Sequence, residues 1–534
     1  MRKLNFLQII FTMEIFHYGI DRLTPGIALD IWRKKITGEI SGFAAARINA
    51  NRQVVENIVH NRKIVYGINT GFGPLCTTIV SEEDTKKLQH NLLTSHSVGV
   101  GKLLPKDISR LMMILKVHAL AQGFSGISME TLERILWHIE NDIVACVPSQ
   151  GSVGASGDLA PLAHLFLPLI GEGNVMIGND VYATSDVLKK YGLQPLELGP
   201  KEGLALINGT QFIAANALFF LDRFQNCLDT ADIIAAMQLE AILGSIKAFD
   251  KDLHNLRPYK GSMYVAERIR TLLVNSEINA SHKDCTRVQD PYSLRCIPQV
   301  HGAARNAYLH LKELLEIEIN SVTDNPIIFD EDKAISGGNF HGEPIALPID
   351  YAAIAASELG NISDRRIYLS LDDKIPGLPK LLMKETGLNS GLMITQYTTA
   401  ALVSENKTMC YPASADSIPT SLGQEDHVSM GSISARKALR IVDNLEKILG
   451  IELFCAAQAF DFRKPLKSGK AIDACHDFVR SKITFIEHDR VFANDINIAI
   501  DLVKNKEIVH IVNEVAKKEH IDIKNEHHEL FGIY

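Results

Sequence analysis

No Cys-x-x-Cys pair occurs in this chain, although it holds eight cysteines, at positions 76, 146, 227, 285, 296, 410, 455 and 475. That excludes the usual zinc and thioredoxin-like spacings. A disulfide framework belongs to small secreted domains, not to 534 residues with cysteines so scattered. No uninterrupted apolar stretch approaches the roughly 18 residues of a membrane-spanning helix. Positive charge is not in excess either. With 55 Lys and Arg against 63 Asp and Glu the net charge is -8, which removes any general attraction to nucleic acid or an anionic membrane surface. Low-complexity segments, internal repeats and long linkers are missing. What remains, 46% hydrophobic and 22% charged, is the composition of an ordinary globular protein. At about 150 residues per domain its length suggests three or four domains, but a long helical bundle would make it one.

The opening MRKLNFLQIIFTMEIF sets two basic residues before a short apolar run, in the outline of a signal peptide. Glu14 and His17 interrupt that run and no A-x-A site follows, so a cytoplasmic protein is expected, starting at Met1 or Met13. Helical periodicity dominates thereafter. Ala304, Ala307, Tyr308, Leu311, Leu314 and Leu315 share one face of a helix that should stop near Asp324-Asn325-Pro326, because a residue before proline leaves the α region. Ala435, Ala438, Val442, Leu445, Leu449 and Leu453 repeat the pattern, and 211–247 and 351–360 read likewise. Asn174 to Thr184, with Gly178-Asn179-Asp180 at its middle, is the best hairpin. The charged tail beyond about 504 reads as a surface helix. Its His520, His527 and His528 are expected to be solvated rather than metal-bound, and no metal site is expected.

Glycine concentrates in a few places, and Gly151-Ser-Val-Gly-Ala-Ser-Gly-Asp-Leu-Ala160 is the most informative. One reading is a turn into a helix, with Ser156 or Asp158 as cap and Pro161 in the first turn. The segment lacks both GxxxxGK[ST] and GxGxxG, which argues against a phosphate loop. A second reading is chemical. In a compressed loop the nitrogen of Gly157 can attack the carbonyl of Ala155, since neither residue has a side chain large enough to block the approach. Loss of water from the ring and from the Ser156 side chain would leave an exocyclic methylene, a strong electrophile made without an external cofactor.

The segment GSVGASGDLAPLAHL resembles the signature of the aromatic amino acid ammonia-lyases, in which this tripeptide cyclises to 4-methylidene-imidazol-5-one (MIO). The resemblance runs from about residue 20 to about 500 and rests on further motifs in order: Val65-Tyr-Gly-Ile-Asn-Thr-Gly-Phe-Gly73, Gly203-Leu-Ala-Leu-Ile-Asn-Gly-Thr210, Gln289-Asp-Pro-Tyr-Ser-Leu-Arg295 and Gly337-Gly-Asn-Phe-His341. It implies non-oxidative loss of ammonia from an amino acid, giving a trans-α,β-unsaturated acid. It also implies a mainly α-helical fold, a long central bundle of the aromatic ammonia-lyase and fumarase-aspartase type with a smaller N-terminal MIO-bearing region. The expected division is an extension at 1–20, the MIO-bearing domain at 21–220, the bundle and substrate pocket at 221–503, and a tail at 504–534. A homotetramer with active sites shared between subunits is implied too.

By the same resemblance Ala155, Ser156 and Gly157 form the MIO and Asp158 assists ring closure. Tyr66 removes the β-proton, for which its hydroxyl, ordinarily of pKa about 10, has to be made more acidic. Asn208 donates to the MIO or the substrate, Arg295 forks onto the substrate carboxylate, and Gln289, Tyr292 and Phe340 line the pocket. Outside the family pattern each has a plainer reading. Tyr66 and Phe340 are then packed aromatics, Asn208 a helix cap, Arg295 an ion-pair partner and Asp158 a first-turn acid.

Substrate choice rests on three segments. Ser95-His96 and Gln424-Glu425-Asp426-His427, with Ser404-Glu405-Asn406-Lys407, resemble the members that act on histidine. A carboxylate at Glu425 and the His96 ring suit the polar nitrogens of an imidazole, whereas a phenyl ring would strand them at roughly 1–3 kcal/mol each. L-Histidine, yielding trans-urocanate in amino-acid catabolism, is therefore favoured over L-tyrosine or L-phenylalanine. An MIO aminomutase remains a further alternative. A binding homologue without activity and a fumarase-type lyase without MIO both conflict with the intact Ala155-Ser156-Gly157 and Tyr66.

Overall fold

The computed structural model describes residues 14–71, 73, 80–283 and 287–523. Phe72, Cys76, Cys285, His527, His528 and both candidate start methionines lie outside the described residues. The fold is mainly α-helical, with a few strands of two to four residues. Two compact units divide it. The first takes the chain up to Leu218 with Leu315–Pro344 and Asp416–Ser432; the second takes Phe219–Leu314, Ile345–Ala415 and the chain from Ile433.

In the first unit the helix Lys106–Leu120 shows how burial follows composition. It opens after Pro105 with Asp107 in its first turn, and every residue from Ile108 to Leu120 is buried. Its apolar residues place it inside a core, and Ser109, Arg110, Lys116 and His118 are buried with them. The hairpin forms where the alternation and turn residues place it: Asn174–Ile177 pairs antiparallel with Asp180–Ala183, Ile177 opposite Asp180, and Val144–Ala145 joins the sheet.

The second unit holds most of the long helices Gln211–Ala241, Ile297–Ile319, Glu343–Ser370 and Gly431–Asp461. Ala435, Ala438, Val442, Leu445, Leu449 and Leu453 are all fully buried, as their spacing requires. Between the helices, Asp232 accepts from His301 and Arg305, and Glu452 from Arg366, all without exposure. Helix Ile297–Ile319 ends earlier than expected at 324. The Asn320 carboxamide donates to the carbonyls of Glu316 and Leu23, taking over a helix-end acceptor before proline intervenes. Leu314 is only half-buried. The tail forms Glu507–Lys518, not wholly on the surface: Ile508, Val512 and Ala516 are buried. Among the described residues no helix is long and apolar enough to cross a membrane, and no His, Cys, Asp and Glu cluster suited to a metal occurs.

Candidate active site

A cavity of about 1060 Å³ lies within the first unit, lined by Tyr66, His96, Ala155, Ser156, Asn208, Phe340 and Glu425, among others. Each comes from a different local device. Tyr66 sits in a turn whose next residue, Gly67, has φ +73°, where a Cβ would lie 2.7 Å from Leu204. Its hydroxyl accepts from the Gly73 N–H at 3.3 Å. His96 ends the helix Glu82–His96, with the Ser95 hydroxyl 3.1 Å from its Nδ1. Burial holds the His96 ring below the usual imidazole pKa, while nearby Glu425 pulls the other way.

Ser156 Oγ is the atom that cyclisation and dehydration of the tripeptide would remove. Oγ donates to Glu425 Oε1 at 2.5 Å, and Thr420 Oγ1 donates to Glu425 Oε2 at 2.7 Å. The Asn208 carboxamide donates to the Ser156 carbonyl at 2.6 Å, while its Oδ1 is buried without a partner. Gly157 has φ +74° and runs beside Gly209 so closely that a Cβ would lie 2.2 Å from the Gly209 oxygen. Only glycine fits there. The loop is gripped from its other side by main-chain and hydroxyl donors: Met430 N to Val153 O at 2.9 Å, Ser429 Oγ to Gly154 O at 3.1 Å and Ser432 Oγ to Ser152 O at 2.5 Å.

Asp158 departs from both capping readings. It occupies the N-cap position of Leu159–Phe166 but makes no side-chain cap bond there. Its carboxyl instead accepts from Ser152 Oγ at 3.0 Å and from the main-chain N–H groups of Phe212 and Ile213, the latter at 3.0 Å, at the start of helix Gln211–Ala241. Burial pushes it from 3.8 up to about 7 against these donors. A carboxyl raised in the folded state contributes stability that is full below pH 3.8 and is lost as pH rises towards 7. Asp158→Asn is therefore expected to flatten the fall of the unfolding free energy across that interval, compared with wild type by denaturant titration at several pH values.

Gln289, Tyr292 and Arg295 meet one another but belong to the second unit and do not line this cavity. Arg295 Nη2 donates to Gln289 Oε1 at 3.1 Å and the guanidinium stands 4.6 Å from the centre of the Tyr292 ring. Tyr292 is 70% exposed, and Arg295 Nε is buried without a partner.

The aromatic amino acid lyase family is matched over residues 23–481. The chain belongs to that family. Histidine ammonia-lyase of Natranaerobius thermophilus is 47% identical over 475 residues, 88% of this chain and 93% of its own. The crystal structure of histidine ammonia-lyase from Trypanosoma cruzi has 41% identity and a TM-score of 0.88, covering 97% of each chain. A tyrosine aminomutase from Streptomyces globisporus has 34% identity and a TM-score of 0.89, covering 94% of this chain and 99% of its own. Lyase and aminomutase share this fold about equally well, and the sequence identity is higher to the histidine ammonia-lyases.

Sequence reading missed several contributors to this lyase-family site. Thr420 braces Glu425, the 429–432 segment grips the loop, and Asn325 holds the wall of the cavity by bonding Ser336 Oγ at 3.0 Å and the Gly337 N–H at 2.8 Å. Lys116 lies beneath Asn208, its Nζ donating to the Asn208 carbonyl at 2.6 Å. Only Lys116 left a mark in the sequence, as a lone cation inside the run Leu111 to Val117.

Proposed function

We propose that this protein is an ammonia-lyase that converts L-histidine into trans-urocanate and ammonia. The observation that carries this reading is the Glu425 carboxylate beside Ser156 in the same cavity as His96 and Tyr66. A polar wall of that kind matches an imidazole and leaves a phenyl ring without partners for either group.

The residues present fit an MIO formed from Ala155-Ser156-Gly157: no side chain is tolerated at Gly157, Ala155 is buried, and Asn208 offers a buried, unpartnered Oδ1 beside its bond to Ser156. When formed, this group supplies an electrophile that draws electrons from the amino acid and eases departure of a poor leaving group. Ala155, Ser156 and Gly157 would provide its atoms and Asp158 would assist closure. Tyr66 takes the proton from the β-carbon, and those electrons form the Cα–Cβ double bond as the C–N pair leaves with the amine. Asn208 holds the Ser156 carbonyl, and Phe340 packs beside it. Glu425 and His96 orient the imidazole, and the Glu425 carboxylate balances positive charge on it.

Gln289, Tyr292 and Arg295 reach a pocket from a neighbouring subunit in a homotetramer, where the guanidinium of Arg295 receives the substrate carboxylate. Their absence from the residues that line this cavity supports that arrangement. A cytoplasmic location agrees with a small-molecule catabolic enzyme.

The test is an ultraviolet progress curve with a parallel ammonia assay on L-histidine, L-tyrosine and L-phenylalanine. Urocanate absorbance with equal ammonia from histidine alone is the expected result. Ammonia from tyrosine would show that His96 and Glu425 are not an imidazole pocket. A β-amino acid without ammonia would make the protein an aminomutase.

A further inference from the structure

Lys116 has no part in the chemistry above, yet its place is unusual. It is 1% exposed, in the buried helix Lys106–Leu120, and its ammonium donates to the Asn208 carbonyl at 2.6 Å. The charged groups facing it are Asp324, Lys201 and Asp158. Asp324 is bonded to Lys201 and, at 2.8 Å, to Ser125 Oγ, and Asp158 to the donors already described, so among the described residues no carboxylate pairs directly with Lys116. Burial pulls its ammonium down to about 7. A methionine or leucine of similar volume would fill this space without that penalty.

The bond has a purpose in the local backbone. Asn208 follows the last residue of the short helix Glu202–Ile207 and precedes Gly209, whose φ of +136° is open to few residues but glycine. A peptide next to such a residue turns easily, and a turn of the Asn208 main chain would carry its carboxamide off the Ser156 carbonyl. Asp158 N–H secures the Gly209 carbonyl at 2.7 Å, and Lys116 secures that of Asn208.

We propose that Lys116 is a positioning residue, which holds the Asn208 main chain so that the Asn208 carboxamide stays on residue 156 during turnover. The proposal rests on reading this site as that of an ammonia-lyase. Lys116 acts through Asn208 and touches no substrate.

A double-mutant cycle tests it, with Lys116→Met, Asn208→Ala and the pair, each followed by ammonia release, intact mass and thermal midpoint. Lys116→Met is expected to fold and to show the same loss of two waters from the chain mass as wild type. Its kcat should fall about 10- to 100-fold, the scale of a misplaced group, with KM changed less than about threefold. Lys116→Gln, which keeps a donor without the charge, should recover part of that loss. In the Asn208→Ala background Lys116→Met should change kcat by less than about twofold, since nothing is left to position.

The same fold-loss in both backgrounds, or an unchanged kcat, would overturn the proposal. Absence of the two-water loss would instead make Lys116 a maturation residue. Should Lys116→Met fail to fold, Lys116→Gln carries the cycle, and failure of both would make the lysine purely structural. The cycle is read on whichever of the three aromatic amino acids wild type deaminates, so a wrong substrate leaves it intact. A wild type inactive on all three would remove the ammonia-lyase reading and the proposal together.

Discussion

Ser156→Ala is expected to give a folded enzyme of wild-type assembly whose turnover falls by roughly 10⁴ or more, the scale on which loss of a reacting group is measured. The reason is chemical. Alanine has no hydroxyl to lose, so no methylene can arise at position 156 even if the ring closes. The backbone has little cause to move, because the loop is held by the Ser429, Met430 and Ser432 donors and by the Gly209 carbonyl, none of which uses the Ser156 side chain. Glu425 keeps its partner in Thr420, which does not depend on residue 156. Size-exclusion chromatography, intact mass and ammonia release together check the result. Near-wild-type turnover would refute an electrophile made from this serine.

The second large effect is at Tyr66. Tyr66→Phe removes the hydroxyl and keeps the ring, so the wall of the cavity should persist while kcat falls about 10²- to 10⁴-fold, the usual contribution of a general base. The Gly73 N–H loses its acceptor at the same time, a small local cost against that factor. The mass of the variant should still lack two waters. A chain that keeps those waters would transfer Tyr66 from proton removal to maturation.

Much of this was legible in residue order because local rules sufficed. The helical stripe of Ala435 to Leu453 is buried as its spacing demands, and the Asn174–Thr184 hairpin turns at Gly178-Asn179. The tripeptide stood out because a small-residue run before a helix carries its chemistry within four neighbours. Reading failed where a contact joins residues far apart in the chain. The plainer reading of Asp158, a side-chain cap for its own helix, is one such case: its carboxyl serves the start of the helix at Gln211, because Gly157 and Gly209 let two loops meet. The end of the helix at Ile319 was misplaced because the Asn320 carboxamide, bonded to Leu23, acts before Pro326 can.

Residue types and their spacing were thus enough to indicate the helical fold and the lyase family, since the first depends on periodicity and the second on short runs of adjacent residues. Tertiary structure alone decided which groups meet. It put Glu425 on Ser156, Lys116 under Asn208 and the serines of 429–432 on the loop. It also brought Gln289, Tyr292 and Arg295 together in the second unit. Hydrogen bonds and burial act over a few ångströms of space, and only the folded chain sets which distant residues come within that reach.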